Sequence, residues 1–186
     1  MAGEHQSGAV AQLGERRAGS AKATGSSLVS SIVGYARDIA EALPSEFLHQ
    51  FKEQFDCWNR GELDLMLDTY AEDAVFDVSA VFTDVAPMRG SKSIRRYWET
   101  LRETWDGLRI DPLEGFDLGE GRLVIDQRVW AKGTRSGIEI DQRFAMLYTI
   151  RPEDKRIVHA ELLPDTATAI STGESSASRL KDRGAA

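Results

Sequence analysis

The sequence predicts an α+β fold in which one curved, mainly antiparallel sheet wraps around three helices that come early in the chain. Two observations carry this prediction. Apolar residues recur at helical spacing three times between residues 47 and 105. After Gly107 the pattern changes to strand-like segments separated by turn residues, which is typical of consecutive antiparallel strands.

The first two helices are predicted on either side of Gly61, because glycine is a typical helix stop. The apolar positions of the first helix are Phe47, Leu48, Phe51, Phe55 and Trp58. Those of the second helix are Leu63, Met66, Leu67 and Tyr70. Each helix therefore has one face that it must bury.

A short strand is predicted over residues 75–78, because this segment is apolar and β-branched. A loop that contains Pro87 follows, and Ser91 is predicted to be the N-cap of the third helix. The apolar positions of that helix are Ile94, Tyr97, Trp98, Leu101 and Trp105. The spacing again indicates one buried face.

Four strands are predicted in the second half of the domain. They cover residues 109–117, 122–132, 138–150 and 156–163. The turn signals between them are at 119–121, 133–137 and 152–155. Such short connections favour antiparallel pairing of neighbouring strands.

The folded domain is predicted to cover residues 44–170. Residues 1–27 are rich in Gly, Ala and Ser and predict a disordered tail. Part of this tail also resembles the conceptual translation of a transfer-RNA gene, which favours a true start further downstream. Residues 28–43 predict an extra helix, and residues 171–186 predict a disordered, solvated tail.

The composition narrows the class of protein. Of 186 residues, 41% are hydrophobic and 28% charged, which is typical of a soluble domain. The net charge of −7 argues against nucleic acid or an anionic membrane as partner. The single cysteine, the absence of a long apolar run and the start without a secretory pattern predict a cytoplasmic protein. Neither clustered metal ligands nor a nucleotide fingerprint is present, so the sequence predicts no metal and no cofactor.

The order of elements and four segments give the sequence a resemblance to a known family. The segments are WNRGELDLMLDTYAEDAVFD, MRGSKSIRRYW, GTRSG and RIVHAELLPDTATAI. Over residues 45–170 the sequence resembles the SnoaL-like branch of the nuclear transport factor 2-like superfamily. The resemblance implies a cone in which the concave sheet face and the helices enclose an apolar pocket, and a homodimer formed through the convex face. The family includes isomerases, cyclases, dehydratases and epoxide hydrolases, so the fold does not specify a reaction.

The resemblance also implies positions for the pocket. The catalytic groups of the steroid isomerases fall at Gln54, Val78 and Met146, and none is retained. Those of the epoxide hydrolases fall at Arg128, Trp130 and Leu162, and only the arginine is retained. The full predicted pocket is Gln54, Trp58, Phe76, Val78, Met88, Arg128, Trp130, Phe144, Met146, Tyr148, Ala160 and Leu162.

Arg128 is the first catalytic candidate, and Asp126 stands two residues before it on the same strand face. In one register of the predicted hairpin, Arg128 lies opposite Asp141 and Asp126 lies opposite Arg143, which gives two cross-strand ion pairs. A register shifted by one residue places Arg128 opposite Gln142 and turns it into the cone. That register places three further residues on the concave face: Phe144, Met146 and Tyr148. The family analogy favours the second register.

Asp77 is the third catalytic candidate, as a base. If Phe76 and Val78 face inward, however, alternation along the strand turns Asp77 away from the cone. Cys57 is interpreted as a core or helix-surface residue, because no histidine stands at a useful spacing. His159 is predicted to point to the convex side, where a dimer contact is favoured over catalysis.

The sequence leaves three functions open, of which the first is the leading hypothesis, and does not decide whether the protein is an enzyme. The first is an isomerase, cyclase or dehydratase that acts on a small apolar organic ligand by acid/base chemistry. The second is a non-catalytic protein that binds or senses such a ligand, and the third is a protein-interaction adapter. A cavity that contains an acid with a raised pKa would favour the first. Aromatic walls without titratable groups would favour the second, and a filled cavity beside an exposed apolar patch the third.

Overall fold

The computed structural model describes residues 41–42 and 45–184. Four helices lie in this range: α1 Ser45–Arg60, α2 Leu63–Leu67, α3 Ser91–Thr104 and α4 Thr166–Gly184. The seven strands are β1 Glu41–Ala42, β2 Tyr70–Asp77, β3 Met88–Arg89, β4 Trp105–Gly119, β5 Arg122–Gly133, β6 Glu139–Ile150 and β7 Ile157–Leu163. None of the described helices combines the length and the apolar character needed to cross a membrane.

The strands form one sheet in the order β1-β4-β5-β6-β7-β2-β3. Every pair is antiparallel except β2 with β7. The register between β4 and β5 shifts at three places, and such bulges bend a strand. The α+β class, with a mainly antiparallel sheet against the early helices, is therefore confirmed.

Gly61 ends α1 as predicted. Its amide donates to the carbonyl of Trp58, and the next amide, of Glu62, donates to the carbonyl of Cys57. This pair of bonds is the Schellman motif, which needs a left-handed residue, and Gly61 has φ of +82°. An added Cβ would also lie 2.9 Å from Nη2 of Arg102. The glycine therefore allows both the sharp turn and the close approach of α3.

The ends of α2 and α3 differ from the predicted ones. Tyr70, predicted in the second helix, is the first residue of β2, which begins before the predicted 75–78 segment. Ser91 is the first helical residue of α3, and Gly90 occupies the N-cap with φ of +78°. Trp105, predicted in the third helix, begins β4. The helical pattern could not mark these boundaries, because Tyr70 and Trp105 are also buried where they stand in the adjoining strands.

Helices pack against both faces of the sheet, although α4 covers only part of the second face. The concave face packs on α1, α2 and α3 in the larger core cluster, to which β5 contributes Leu123 and Ile125. On the opposite face a second cluster joins Val124 and Leu147 of the sheet to Ile170 of α4. Alternating residues of the same strands thus serve two cores.

The prediction of a disordered tail over residues 171–186 is wrong for its described part, because α4 extends to Gly184. Asp165 begins the helix: its carboxylate accepts a hydrogen bond of 2.8 Å from the amide of Thr168. Ala169 and Ile170 are buried against the convex face. The burial of these two apolar residues drives the docking of α4 on the sheet. The polar composition of the segment gave no indication of it.

The predicted tail 1–27 lies outside the described residues, as does most of the predicted helix 28–43. The described part of that segment, Glu41–Ala42, is a strand, so a helix reaching residue 43 is wrong there. The two residues pair with Asp117 and Phe116 of β4. Backbone pairing with β4 therefore determines the structure of these two residues, although the apolar spacing of the segment predicted a helix.

Candidate functional site

The candidate site is a cavity of about 120 Å³ between the helices and the concave face of the sheet. The helices contribute Phe55, Trp58, Met66, Tyr97, Trp98 and Leu101. The central strands contribute, among others, Gln127, Val129, Phe144, Met146, Tyr148 and Leu162. The walls are thus almost entirely apolar and aromatic, as in many small-molecule sites.

Trp98 of α3 organises the aromatic wall. Its ring meets the ring of Trp58 edge-on at a centroid distance of 5.5 Å. Tyr70 and Phe76 of β2 approach it in the same manner at 5.4 and 5.7 Å. Edge-to-face contacts of this kind fix ring orientations, so this wall has a defined shape.

Two buried polar atoms of the cavity lining have no hydrogen-bond partner among the described residues. They are Nε1 of Trp58 and Oε1 of Gln127. Trp58 is only 3% exposed and Gln127 only 2%. Folded proteins rarely leave a buried donor or acceptor unsatisfied, so these two atoms call for a partner from outside the described residues, such as water or a bound molecule.

Three tyrosines, Tyr70, Tyr97 and Tyr148, also line the cavity. Burial raises the pKa of Tyr70, Tyr97 and Tyr148 above the ordinary value of a phenol. Tyr70 and Tyr148 also share a side-chain hydrogen bond, which raises the pKa of Tyr70 further. These phenols are therefore neutral near pH 7 and act as hydrogen-bonding groups rather than as bases.

No carboxylate, imidazole, thiol or amine from the described residues lines the cavity. General acid/base catalysis near pH 7 needs a group that exchanges a proton in that range. The polar groups of the described lining are two amides, three indoles and three phenols. Amides, indoles and phenols with a raised pKa do not exchange a proton in that range.

The position of Trp58 is fixed from two sides. Nη1 of Arg102 donates a bond of 2.8 Å to the Trp58 carbonyl, and the guanidinium lies 5.8 Å from the centroid of the Trp58 ring. The next residue, Asn59, makes two hydrogen bonds to the backbone of Ile110 in β4. The end of α1 is thus attached to both α3 and the sheet.

The position of Gln127 follows from its place in β5. It pairs with Pro112 of β4 on one side and with Phe144 of β6 on the other. Its neighbours two residues away, Ile125 and Val129, are also on the concave side. Gln127 therefore interrupts an apolar stripe with one amide, and sequence reasoning missed it although this alternation was visible.

Seven of the twelve predicted pocket residues line the cavity. They are Trp58, Phe76, Val78, Phe144, Met146, Tyr148 and Leu162. Five predicted residues are not part of the lining: Gln54, Met88, Arg128, Trp130 and Ala160. Met88 and Ala160 are buried within the core, and Gln54 is half-buried on α1. That the lining contacts a ligand stays a prediction.

Both predicted registers of the β5–β6 hairpin are wrong. Arg128 pairs with Arg143, and Asp126 pairs with Ala145. This register is shifted by two residues from the ion-pair register and by one from the register favoured by the family analogy. Arg128 and Asp126 therefore lie on the convex face, and Trp130, which follows on that face, is 37% exposed.

The predicted ion pairs nevertheless form, diagonally across the strands. Nε of Arg128 lies 2.6 Å from Oδ1 of Asp141, and Arg143 pairs with Asp126. Diagonal neighbours remain within reach of a long arginine side chain. Because Arg128 and Asp126 are outside the cavity, the structure gives neither a catalytic position there.

Asp77 also lies outside the cavity. Its carboxylate accepts a hydrogen bond of 2.8 Å from the amide of Ser79, and its strand position is paired with Glu161. His159 is half-buried in β7, next to the inward-facing Ala160. Cys57 is half-buried against the core and is not part of the cavity lining. No group of three or more His, Cys, Asp or Glu in the described part of the chain is arranged to hold a metal ion.

Comparison with known proteins places this geometry in context. The sequence model of the SnoaL-like domain family matches residues 51–160, more than half of the chain. The comparison with curated proteins finds no match.

Several solved structures are similar. A nuclear transport factor 2-like protein of unknown function from Burkholderia pseudomallei shares 20% identity, with 66% of this chain and 93% of that chain covered and a TM-score of 0.53. TerC co-crystallised with polyporic acid shares 16%, with 62% and 88% covered and a TM-score of 0.53. RV0760c from Mycobacterium tuberculosis in complex with estradiol-17beta-hemisuccinate shares 14%, with 59% and 85% covered and a TM-score of 0.50.

Proposed function

The chain belongs to the SnoaL-like domain family, and we propose that it binds a small, mostly apolar organic molecule in the cavity without catalysing an acid/base reaction on it. The observation that carries this proposal is the chemistry of the lining. Its walls are aromatic and aliphatic, and no described lining residue titrates near pH 7. A binding site needs the walls, whereas an isomerase, cyclase or dehydratase also needs a proton acceptor.

The size of the cavity defines the ligand further. A cavity of about 150 Å³ lined by apolar side chains holds one benzene ring, and the cavity here is about 120 Å³. A single-ring molecule is therefore the expected occupant. A larger one would have to move half-buried lining residues such as Phe82, Ile140 and Gln142.

Similar folds support a small-molecule site. Two of the solved structures above are complexes with polyporic acid and with estradiol-17beta-hemisuccinate. Their low identity to this chain carries only the fold over, so the ligand class rests on the cavity itself.

The adapter function is not favoured. The exposed large hydrophobic residues of the described part are Leu65, Leu113 and Trp130, which lie on α2, β4 and β5. Isolated apolar residues of this kind are normal on a protein surface. The homodimer and the cytoplasmic location stay predictions. A dimer through the convex face would have to use the area that α4 leaves free.

Native mass spectrometry of protein purified from its own host tests the proposal. We expect a bound organic molecule that is lost in an Ala131→Phe variant, because Ala131 lines the cavity and phenylalanine would fill it. Ala86→Phe, at an exposed loop position, is the matched control and should retain the molecule. If Ala131→Phe fails to fold, Val129→Phe replaces it, because Val129 is a half-buried lining residue.

Two results would contradict the proposal. A protein that carries no small molecule and whose melting temperature is unchanged by saturating single-ring compounds does not bind such ligands. Release of a chemically altered product by the purified protein would show that the site is catalytic.

A further inference from the structure

We propose that the ligand carries a neutral hydroxyl group, as a phenol or a cyclic alcohol does, and that this group bonds to both Trp58 and Gln127. The hydroxyl oxygen accepts from Nε1–H of Trp58, and the hydroxyl hydrogen is donated to Oε1 of Gln127. The inference rests on the proposed binding function and assigns the chemical class of the ligand.

The two unsatisfied atoms make complementary demands. The indole nitrogen of Trp58 can only donate, so its partner must be an acceptor. The carbonyl oxygen of Gln127 can only accept, so its partner must be a donor. Both side chains are nearly fully buried and line the same cavity. A hydroxyl is the smallest neutral group that meets both demands at once.

The electrostatics of the cavity exclude a charged group. No charged side chain of the described residues is part of the lining. Transfer of a carboxylate or an ammonium group into an apolar site without a counter-charge is strongly unfavourable. A neutral hydroxyl group costs much less to desolvate than a charged group. Its hydrogen bonds to Nε1 of Trp58 and Oε1 of Gln127 replace those that it made to water.

The anchors are held in place before a ligand arrives. The carbonyl of Trp58 is bonded to Arg102, and Gln127 lies in a strand with a paired strand on either side. The Trp58 ring also packs edge-on against Trp98, so little side-chain freedom of Trp58 is lost on binding, which favours affinity for a matching group. The cavity also limits the ligand to about one ring in size.

Isothermal titration with phenol, fluorobenzene and benzene tests the inference on the full chain. Fluorobenzene resembles phenol in shape but has no hydrogen to donate. We expect phenol to bind about tenfold more tightly than either of the others, because only phenol satisfies both buried atoms. Cyclohexanol and cyclohexane form a second pair, with the same ranking expected.

Two variants assign the preference to the named atoms. Trp58→Phe removes the donor and keeps an aromatic ring, and Gln127→Leu removes the acceptor at similar volume. Each should reduce the phenol preference to about threefold or less while benzene still binds. Trp130→Phe, at the 37% exposed tryptophan of the convex face, is the matched control and should keep the full preference.

The outcomes separate the inference from the function on which it rests. Equal affinity for phenol, fluorobenzene and benzene, or an unchanged phenol preference in Trp58→Phe and Gln127→Leu, overturns the hydroxyl assignment and leaves the apolar binding function standing. Failure of all the ring compounds to bind overturns the binding function itself. If both variants fail to fold, the wild-type probe series still decides.

Discussion

The side chain of Asn59 holds the backbone of Ile110 with two hydrogen bonds. Nδ2 of Asn59 donates to the Ile110 carbonyl at 3.0 Å, and the Ile110 amide donates to Oδ1 at 2.9 Å. One side chain thus joins the end of α1 to β4 in the way that a neighbouring strand would, by bonding to both backbone groups of one residue. Because Trp58 is the preceding residue, the same contact fixes one anchor of the cavity.

Replacing Asn59 with Leu should destabilise the fold by about 2 kcal/mol, since two partly buried backbone groups of Ile110 would lose their partner. Urea unfolding followed by circular dichroism measures this change. Lys52→Gln, an exposed change on the same helix, should lie within about 0.5 kcal/mol of wild type. Equal stabilities of the Asn59 and Lys52 variants would show that the two hydrogen bonds of Asn59 do not contribute to the stability of the fold.

The two arginines of the convex face provide a second prediction. Arg143 pairs with Asp126, whose side chain is only 5% exposed, whereas Arg128 pairs with Asp141, whose side chain is 49% exposed. Arg143→Met would leave a buried carboxylate without its partner and should cost about 3 kcal/mol. Arg128→Met should cost less than about 1 kcal/mol, because solvent screens the exposed pair.

The double variant Asp126→Leu with Arg143→Met serves as the control for that comparison. Replacing both partners removes the uncompensated charge, so most of the lost stability should return. Chemical denaturation of the wild type, the two single arginine variants and the double variant measures their free energies of unfolding. Similar losses for Arg128→Met and Arg143→Met would contradict the difference in burial on which the prediction depends.

Periodicity predicted much of the architecture, but not the orientation of every strand. Apolar alternation placed Phe144, Met146 and Tyr148 on the concave face, and they line the cavity. The sequence repeats Ile-Asp-Gln-Arg at 125–128 and 140–143. This repeat does not determine the hairpin register, because arginine reaches its partner diagonally as well as directly. Gln127 was missed because its polar side chain stands where the pattern calls for an apolar one.

The other omission was α4. The segment after Ile170 is dominated by serine, glycine and charged residues, which is typical of a tail. Its docking depends on a narrow stripe formed by Ala169, Ile170 and Gly173 against the convex face. The helix is thus stabilised by the tertiary burial of a few residues, against the preference of its local composition. Such long-range burial cannot be predicted from a single sequence.

Ile170→Ala tests this docking. Ile170 is 2% exposed and joins α4 to the convex cluster, so truncation should destabilise the protein by about 3 kcal/mol. Faster trypsin cleavage within α4 should accompany the loss. Ser171→Ala, at the exposed neighbouring position, is the matched control and should change neither quantity. Unchanged stability and cleavage in Ile170→Ala would mean that α4 does not dock in solution.

Glu161 predicts a pH-dependent stability. Burial raises the pKa of Glu161 above its ordinary value of 4.5; nearby His159 opposes this shift and the charge of Asp77 adds to it. A carboxyl with a higher pKa in the folded state stabilises the fold fully below about pH 4.5, and this contribution is lost as the pH rises through the folded pKa. Ionised Glu161 therefore disfavours folding near pH 7.

Glu161→Gln should accordingly raise stability near pH 7 and have little effect below about pH 4.5, where Glu161 itself is protonated. Urea unfolding of both proteins across this range measures the difference. In an Asp77→Asn background the gain near pH 7 should shrink, because one source of the raised pKa is gone. A gain of equal size at all pH values would mean that glutamine packs better, and that the charge of Glu161 is not the cause.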